Sequence, residues 1–512
     1  MNHARIFAAL FCCAVFIFPV GSASAQPSAA QDRATRADLA ATYLEFEEAF
    51  AAASLTGEAQ RYVHNAFDYA AAMFFGGRLS EAVGKINELT WFVSGGGASA
   101  RSAPPADEQL FRSLRVHFSP AVHLTSQTER PRAVVRSTSP ITGQDGKDIA
   151  LTLRLTTDAN TEPVWQRTMS ATVENGSLRQ TIELDDLPAN LPPGTYAATL
   201  IDDAGRLRVA GRLLILERPF EELQAALQTQ FDEAIAALNE PSAELQRAIA
   251  ICRARLRVLT TRPAATNSIE FLLDPLEHAA KLASEVETIA AGRNPYRRLA
   301  GEHWRVAQRA GGESPLMVYA PRRIGEHDVP LPLVVALHGA GGDETMFMRA
   351  YGAGMIRDLA ESRGFIAVSP LTYHVMAERA LLDRIIADLS EDYAIDHSRI
   401  FLVGHSLGGM TTSALIGTSE KSSPAIAAAC CIAGAGTFMP RQGEAHPPVL
   451  IIGAEFDSMI PAERLQRIAE VAIGRGLPVE YRHAANQGHV LVVNETLAEA
   501  IDWMFGQAGT QP

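Results

Sequence analysis

The chain has 512 residues, 47% of them apolar and 20% charged, and a formal net charge of −13. At roughly 150 residues per domain this length exceeds one ordinary core, and the composition is that of a folding chain, not a disordered one. The acidic balance argues against nucleic acid or an anionic membrane surface as the main partner, because phosphate recognition needs clustered Lys and Arg.

Residues 1–25 read as a secretory signal. His3 and Arg5 make a short polar start, Ile6–Val20 is an apolar core, and Ala23-Ser24-Ala25 supplies the small-x-small cleavage pattern. The apolar run is shorter than the ~20 residues of a membrane-spanning helix, so no stable membrane anchor is expected after cleavage. Export to the periplasm or the exterior of a bacterial cell follows. Cleavage removes Arg5 and no acid, which takes the net charge from −13 to −14. Cys252, Cys430 and Cys431 remain and read as small buried hydrophobes. The last two are neighbours on an expected strand and point to opposite faces, so they should not bridge.

The mature chain divides by periodicity. Residues 26–110 are a helical region and linker: Leu39, Tyr43, Phe46 and Phe50, then Val63, Phe67, Ala70 and Phe74, then Leu79, Val83 and Ile86 recur at spacings of three and four. A Gly- and Pro-rich stretch, Ser94 to Pro105, closes it. Over 111–217 the period becomes two, as in Ile149, Leu151, Leu153 and Leu155, which predicts a β-sandwich. Pro192-Pro193-Gly194-Thr195-Tyr196 opens a hairpin that turns at Asp203-Ala204-Gly205, and this stretch resembles Ig-like modules of exported bacterial proteins. Residues 218–293 are helical again, with a capping box at Asn267 and Glu270 and a helix start at Asp274-Pro275. These helices are expected to pack against those of 35–93, with the β-module inserted between. No repeat of fixed period is present, which disfavours a propeller or solenoid.

From 294 to 508 strands alternate with helices, and the strands are continuous apolar runs such as Leu333–Leu337. That pattern predicts a mostly parallel α/β sheet covered by helices. Gly404-His405-Ser406-Leu407-Gly408 lies between the strand Ile400–Val403 and a helix, the context of a nucleophile elbow, whose tight turn demands small residues two before and two after the serine. A serine hydroxyl needs a positioned base, and His489, in a loop after a late strand, is the leading candidate ahead of His405, His446 and His483. Asp457 would orient that imidazole, with Glu455 as the competing acid. The acyl-transfer oxyanion needs N–H donors, expected from Leu407 and from Ala340 in His338-Gly339-Ala340-Gly341-Gly342, with Gly341 as the fallback. The turn lacks the Gly-Lys-Ser/Thr ending of a phosphate loop, and no metal-ligand spacing is present.

On the His338–Gly342 turn, Ser406, Asp457 and His489, residues 294–508 resemble the α/β-hydrolases. The likeness is to compact secreted esterases of the polyhydroxybutyrate depolymerase-like and feruloyl-esterase-like kinds. The resemblance implies carboxylic-ester hydrolysis through an acyl-Ser406 intermediate, on a small-molecule or polymer ester, with no metal or organic cofactor. It covers under half of the chain, and a carbohydrate or protein contact is left open for the N-terminal region. A serine peptidase of prolyl-oligopeptidase type is the alternative, and a non-catalytic binding protein on the same scaffold is the third reading. The segment between the fourth strand and the elbow is too short for a large cap, so a shallow or cleft-like site is expected. Tyr373, Phe438 and Phe456 are the candidate substrate-binding residues, with Met346, Phe347 and Met459 nearby.

Overall fold

A computed structural model describes residues 34–96, 103–157, 160–259, 274–325, 329–417, 426–439 and 446–508. The signal expected at 1–25 and the capping box expected at Asn267 and Glu270 lie outside the described residues. Among the described residues no helix is long and apolar enough to cross a membrane.

The chain enters helix α1 (Arg36–Ala52) through a reciprocal cap: the Thr35 hydroxyl accepts from Asp38 N–H, and the Asp38 carboxylate accepts from Thr35 N–H. Helices α2 (Gly57–Phe75) and α3 (Leu79–Trp91) follow. The predicted stripes meet in one core around Phe46, Phe50, Val63, Phe67 and Ile86, which also takes in Leu491 from the far end of the chain. Helix α4 (Ala106–Ser113) leads to strands β1 (Leu114–Ser119), β2 (Val122–Leu124), β3 (Arg132–Ser137), β4 (Asp148–Thr157), β5 (Asn160–Glu174), β6 (Ser177–Glu183), β7 (Gly194–Asp202) and β8 (Leu207–Leu216). They hydrogen-bond in the order β1-β3-β6-β5-β4-β7-β8-β2. A Cβ at Gly211 would stand 2.1 Å from the Val116 carbonyl oxygen, so β8 crosses β1 at backbone contact. Val135, Leu153, Trp165, Tyr196 and Leu213, drawn from five of these strands, share one enclosed core.

Helices α5 (Phe220–Ala237), α6 (Ala243–Val258) and α7 (Pro275–Ala290) come next. Asp274 caps α7, its carboxylate accepting from Leu276 and Glu277 N–H, with Pro275 in the first turn. The expected packing of these helices on those of 35–93 is not found, since the two groups fall in separate cores. Instead Phe231, Cys252, Leu256 and Leu282 share a core with Trp304, Val334, Phe401 and Ile452, and α6 packs on β9 at the edge of the C-terminal sheet. The Arg255 guanidinium, donating to the Trp304 carbonyl at 2.9 Å, ties α6 to that sheet's first strand.

That sheet contains β9 (Gly301–Arg309), β10 (Gly312–Ala320), β11 (Leu331–Leu337), β12 (Ile366–Pro370), β13 (Ile395–His405), β14 (Ile426–Ile432), β15 (Val449–Ala454) and β16 (Val479–Ala484). Its order is β16-β15-β14-β13-β11-β12-β10-β9. Only β10 runs antiparallel to its neighbours, β9 and β12. Helices α8 (Met355–Arg363), α9 (Thr372–Ala377), α10 (Ala380–Asp392), α11 (Leu407–Ile416), α12 (Ala462–Gly474) and α13 (Val492–Ala508) connect or flank the strands. The unbroken apolar runs have a simple cause: Val334 and Ala336 enter the core on one face, and Leu333, Val335 and Leu337 the core on the other. Cys430 and Cys431 likewise divide between the two cores as free, buried thiols. Strand β11 lies between β12 and β13, so the chain leaves it to one side and returns to the other. A crevice opens at the carboxyl ends of strands at such a switch point.

Candidate active site

Ser406 sits between β13 and α11 with φ 54° and ψ −114°, a strained conformation for a residue with a Cβ. Its N–H donates to Ile432 O at 2.9 Å and its carbonyl accepts from Met410 N–H at 3.0 Å, which holds the turn. The demand for small neighbours is explicit. A Cβ at Gly404 would lie 2.2 Å from Gly408 O, and one at Gly408 would lie 1.8 Å from Leu337 O.

The structure brings Ser406, His489 and Asp457 into one hydrogen-bonded chain. The Ser406 hydroxyl lies 2.9 Å from His489 Nε2, and His489 Nδ1 lies 2.7 Å from Asp457 Oδ2. Asp457 is buried, and its other oxygen accepts from the N–H groups of Met459 and Ile460 at 2.8 and 2.7 Å. With acceptors on Asp457, the Nδ1 of His489 carries the proton and Nε2 faces the serine as an acceptor. Glu455 is exposed and accepts from Asn486 N–H at 2.7 Å, so it braces the histidine loop without meeting the imidazole.

Two buried histidines lie beside this chain, His405 bracing the His489 loop and His338 the turn after β11. His405 Nε2 donates to the His489 carbonyl at 2.8 Å, and its Nδ1 accepts from the Tyr351 hydroxyl at 2.7 Å. His338 Nδ1 donates to Gly339 O at 2.9 Å, and its Nε2 accepts from Thr372 N–H at 3.0 Å. Burial holds both neutral, pushing His405 down to about 3 and His338 down to about 4. In the turn after β11, Gly342 N–H reaches Gly339 O at 3.3 Å and Gly341 N–H donates to the Tyr373 hydroxyl at 2.7 Å. The Gly341 N–H is therefore occupied, although Gly341 and Ala340 both line the cavity beside Ser406. Leu407 opens α11, where an N–H has no intrahelical acceptor.

A cavity of about 740 Å³ stands over Ser406 and His489. Of the two expected forms, shallow or cleft-like, the shallow one is not found. The cavity's roof comes from the N-terminal helices through Leu39, Tyr43, Phe67, Ala71 and Phe74, with Val258 of α6 and Trp304 and Val306 of β9 as walls. The short connection before the elbow ruled out a cap at that point but said nothing of one supplied by an earlier part of the chain. Of the expected pocket residues, Met346 and Met459 line the cavity. Tyr373 does not; it braces the turn through Gly341. Phe438 and Phe347 are sealed in the cores, at 1% and 0% exposure. Phe456 lies half-buried under the Arg61 guanidinium, 5.5 Å from its ring centre.

Sequence reasoning missed Asp68 and His64 on α2. Asp68 accepts from His489 N–H at 2.6 Å and Val490 N–H at 3.1 Å, and His64 Nδ1 accepts from Gly488 N–H at 3.0 Å. The available signal was a polar pair four residues apart, each directly after a member of the apolar stripe, Val63 and Phe67. Burial pushes Asp68 up to about 6 and His64 down to about 4. Among the described residues no three His, Cys, Asp or Glu side chains converge as metal ligands would.

Strand order and elbow together define an α/β-hydrolase fold. No protein-family model matches the sequence, and no curated protein matches it either. Similar solved structures include an S-formylglutathione hydrolase from Staphylococcus aureus, at 16% identity and TM-score 0.34, which covers 40% of this chain and 98% of its own. A ferulic acid esterase from the fungus Anaeromyces mucronatus has 17% identity and TM-score 0.34, covering 40% of this chain and 91% of its own. An esterase from the archaeon Pyrobaculum calidifontis has 18% identity and TM-score 0.32, covering 41% of this chain and 84% of its own.

Proposed function

We propose that the protein is an exported serine hydrolase that cleaves carboxylic esters with an apolar arm. The observation that carries the reading is the Ser406–His489–Asp457 chain at the floor of the apolar cavity. His489 takes the serine proton through Nε2 as Ser406 Oγ attacks the ester carbonyl, and Asp457 stabilises the imidazolium. The tetrahedral oxyanion is held by the N–H groups of Ala340 and Leu407. Collapse expels the alcohol, which takes the proton from His489, and water then releases the acid from acyl-Ser406 by the same steps. The region over 111–217 is read as an Ig-like sandwich, on its enclosed core. The leader at 1–25 supports export to the periplasm or beyond.

The test is turnover of p-nitrophenyl butyrate by purified protein. Ser406→Ala should lower kcat at least about 10³-fold. Cleavage of proline-containing peptides with negligible ester turnover, or full ester activity in Ser406→Ala, would sink the reading.

A further inference from the structure

We propose that Asp68 is a positioning residue for His489, so that helix α2 of the N-terminal region holds the base of the hydrolytic centre in place; the inference rests on the serine-hydrolase reading. Three successive N–H groups of the histidine loop, those of Gly488, His489 and Val490, find their acceptors on one helix. Asp68 takes two of them, at 2.6 and 3.1 Å, and His64 takes the third at 3.0 Å. Residues four apart on a helix share a face, which is why one helix can serve three consecutive amides. The contact is close enough to dictate a residue type: a Cβ at Gly488 would lie 2.7 Å from Asp68 Oδ2 and 3.0 Å from His64 O.

The His489 peptide is thereby gripped on both sides. Its N–H is held by Asp68 and its carbonyl by His405, the latter at 2.8 Å. With the backbone fixed, Asp457 sets the ring orientation and Nε2 points at Ser406. Packing alone would favour an apolar residue at position 68, since Asp68 is only 5% exposed and burying a carboxylate is costly. The carboxylate is useful there because a charged acceptor binds backbone N–H groups about twice as strongly as a neutral one. Asparagine in its place keeps the shape, but its amide group would present a donor to one of the two N–H groups.

The experiment compares wild type with Asp68→Asn in two readouts: the rate at which a fluorophosphonate labels Ser406, and kcat and KM for p-nitrophenyl butyrate. Since a misplacement of about 1 Å costs roughly 10²-fold, labelling rate and kcat should both fall about 10- to 100-fold, with KM within about twofold. A merely structural role would lower the folded fraction but leave both rates per folded molecule intact. Folded Asp68→Asn with both rates within about twofold of wild type overturns the inference alone. Wild type that takes up no label overturns the nucleophile assignment and this inference with it. Should Asp68→Asn fail to fold, amide hydrogen exchange of wild type decides. Protection of the His489 and Val490 N–H groups supports the grip, and exchange at the rate of free loop amides overturns it.

Discussion

Two carboxylates two residues apart, at the end of β15, meet different surroundings. Asp457 turns inward and receives three hydrogen bonds, from His489 Nδ1 and from the N–H groups of Met459 and Ile460. Glu455 stays in solvent and touches only the far side of the same loop. On the proposed mechanism, Asp457→Asn would let the imidazole settle in the wrong tautomer, with an expected loss of about 10³–10⁴-fold in kcat. Glu455→Gln should stay within about fivefold, because it strips charge from a backbone brace and leaves the imidazole's partners intact. Ester kinetics on the two variants check this, and a larger loss in Glu455→Gln would reverse the assignment. That Ser406, His489 and Asp457 would meet was legible from local pattern: glycines around a strained turn, and an acid and a histidine after late strands. Phe438 and Phe456 were not. An aromatic side chain near a strand end obeys no rule that separates core from pocket, and here one is sealed and the other lies under Arg61.

At the scale of elements, the N-terminal helices change the character of the site. Their periodicity predicted three helices with buried faces, but an apolar stripe says that a face is covered, not by what. The chain uses that freedom twice. One part of the surface makes its own core around Phe46 and Phe67, and Leu39, Tyr43, Ala71 and Phe74 are left facing Ser406 across the cavity. The helices also reach the turn that carries Ala340, since a Cβ at Gly341 would lie 2.8 Å from the Phe74 ring. A roof of this kind should select for the length of the apolar arm. Ala71→Trp adds an indole to the cavity wall, so kcat/KM for p-nitrophenyl octanoate should fall at least about tenfold, the worth of one or two buried methylenes. The acetate ester should change by less than about threefold. Equal effects on both esters would show that the arm lies elsewhere.

Across the whole molecule, the joint between the N-terminal helices and the hydrolase sheet is built from buried ionisable groups, which ties its stability to pH. Glu47 of α1 is fully buried and accepts from Asn494 Nδ2 at 2.6 Å and from Gly352 N–H at 3.1 Å. Burial pushes its carboxyl from the usual 4.5 up to about 7. The folded chain therefore keeps the Glu47 proton up to about pH 7, while the unfolded chain releases it near pH 4.5. Through that window the folded state binds more protons, so stability from this group is present at low pH and is lost as pH rises. The buried histidines act in the opposite sense. His64, pushed down to about 4, and His405, down to about 3, stay neutral in the fold while the unfolded chain protonates them near 6.5, so their share of stability is lost as pH falls. Because the two effects overlap in wild type, the Glu47 term is read by difference. Glu47→Gln is neutral at every pH and removes only the rising-pH penalty. Relative to wild type it should gain roughly 3 kcal/mol between pH 4.5 and pH 8, at 1.36 kcal/mol per pKa unit. Urea unfolding of both proteins at the two pH values measures it. A stability difference that does not move with pH would mean that Glu47 is already ionised in the fold, with its charge carried by the Asn494 and Gly352 hydrogen bonds.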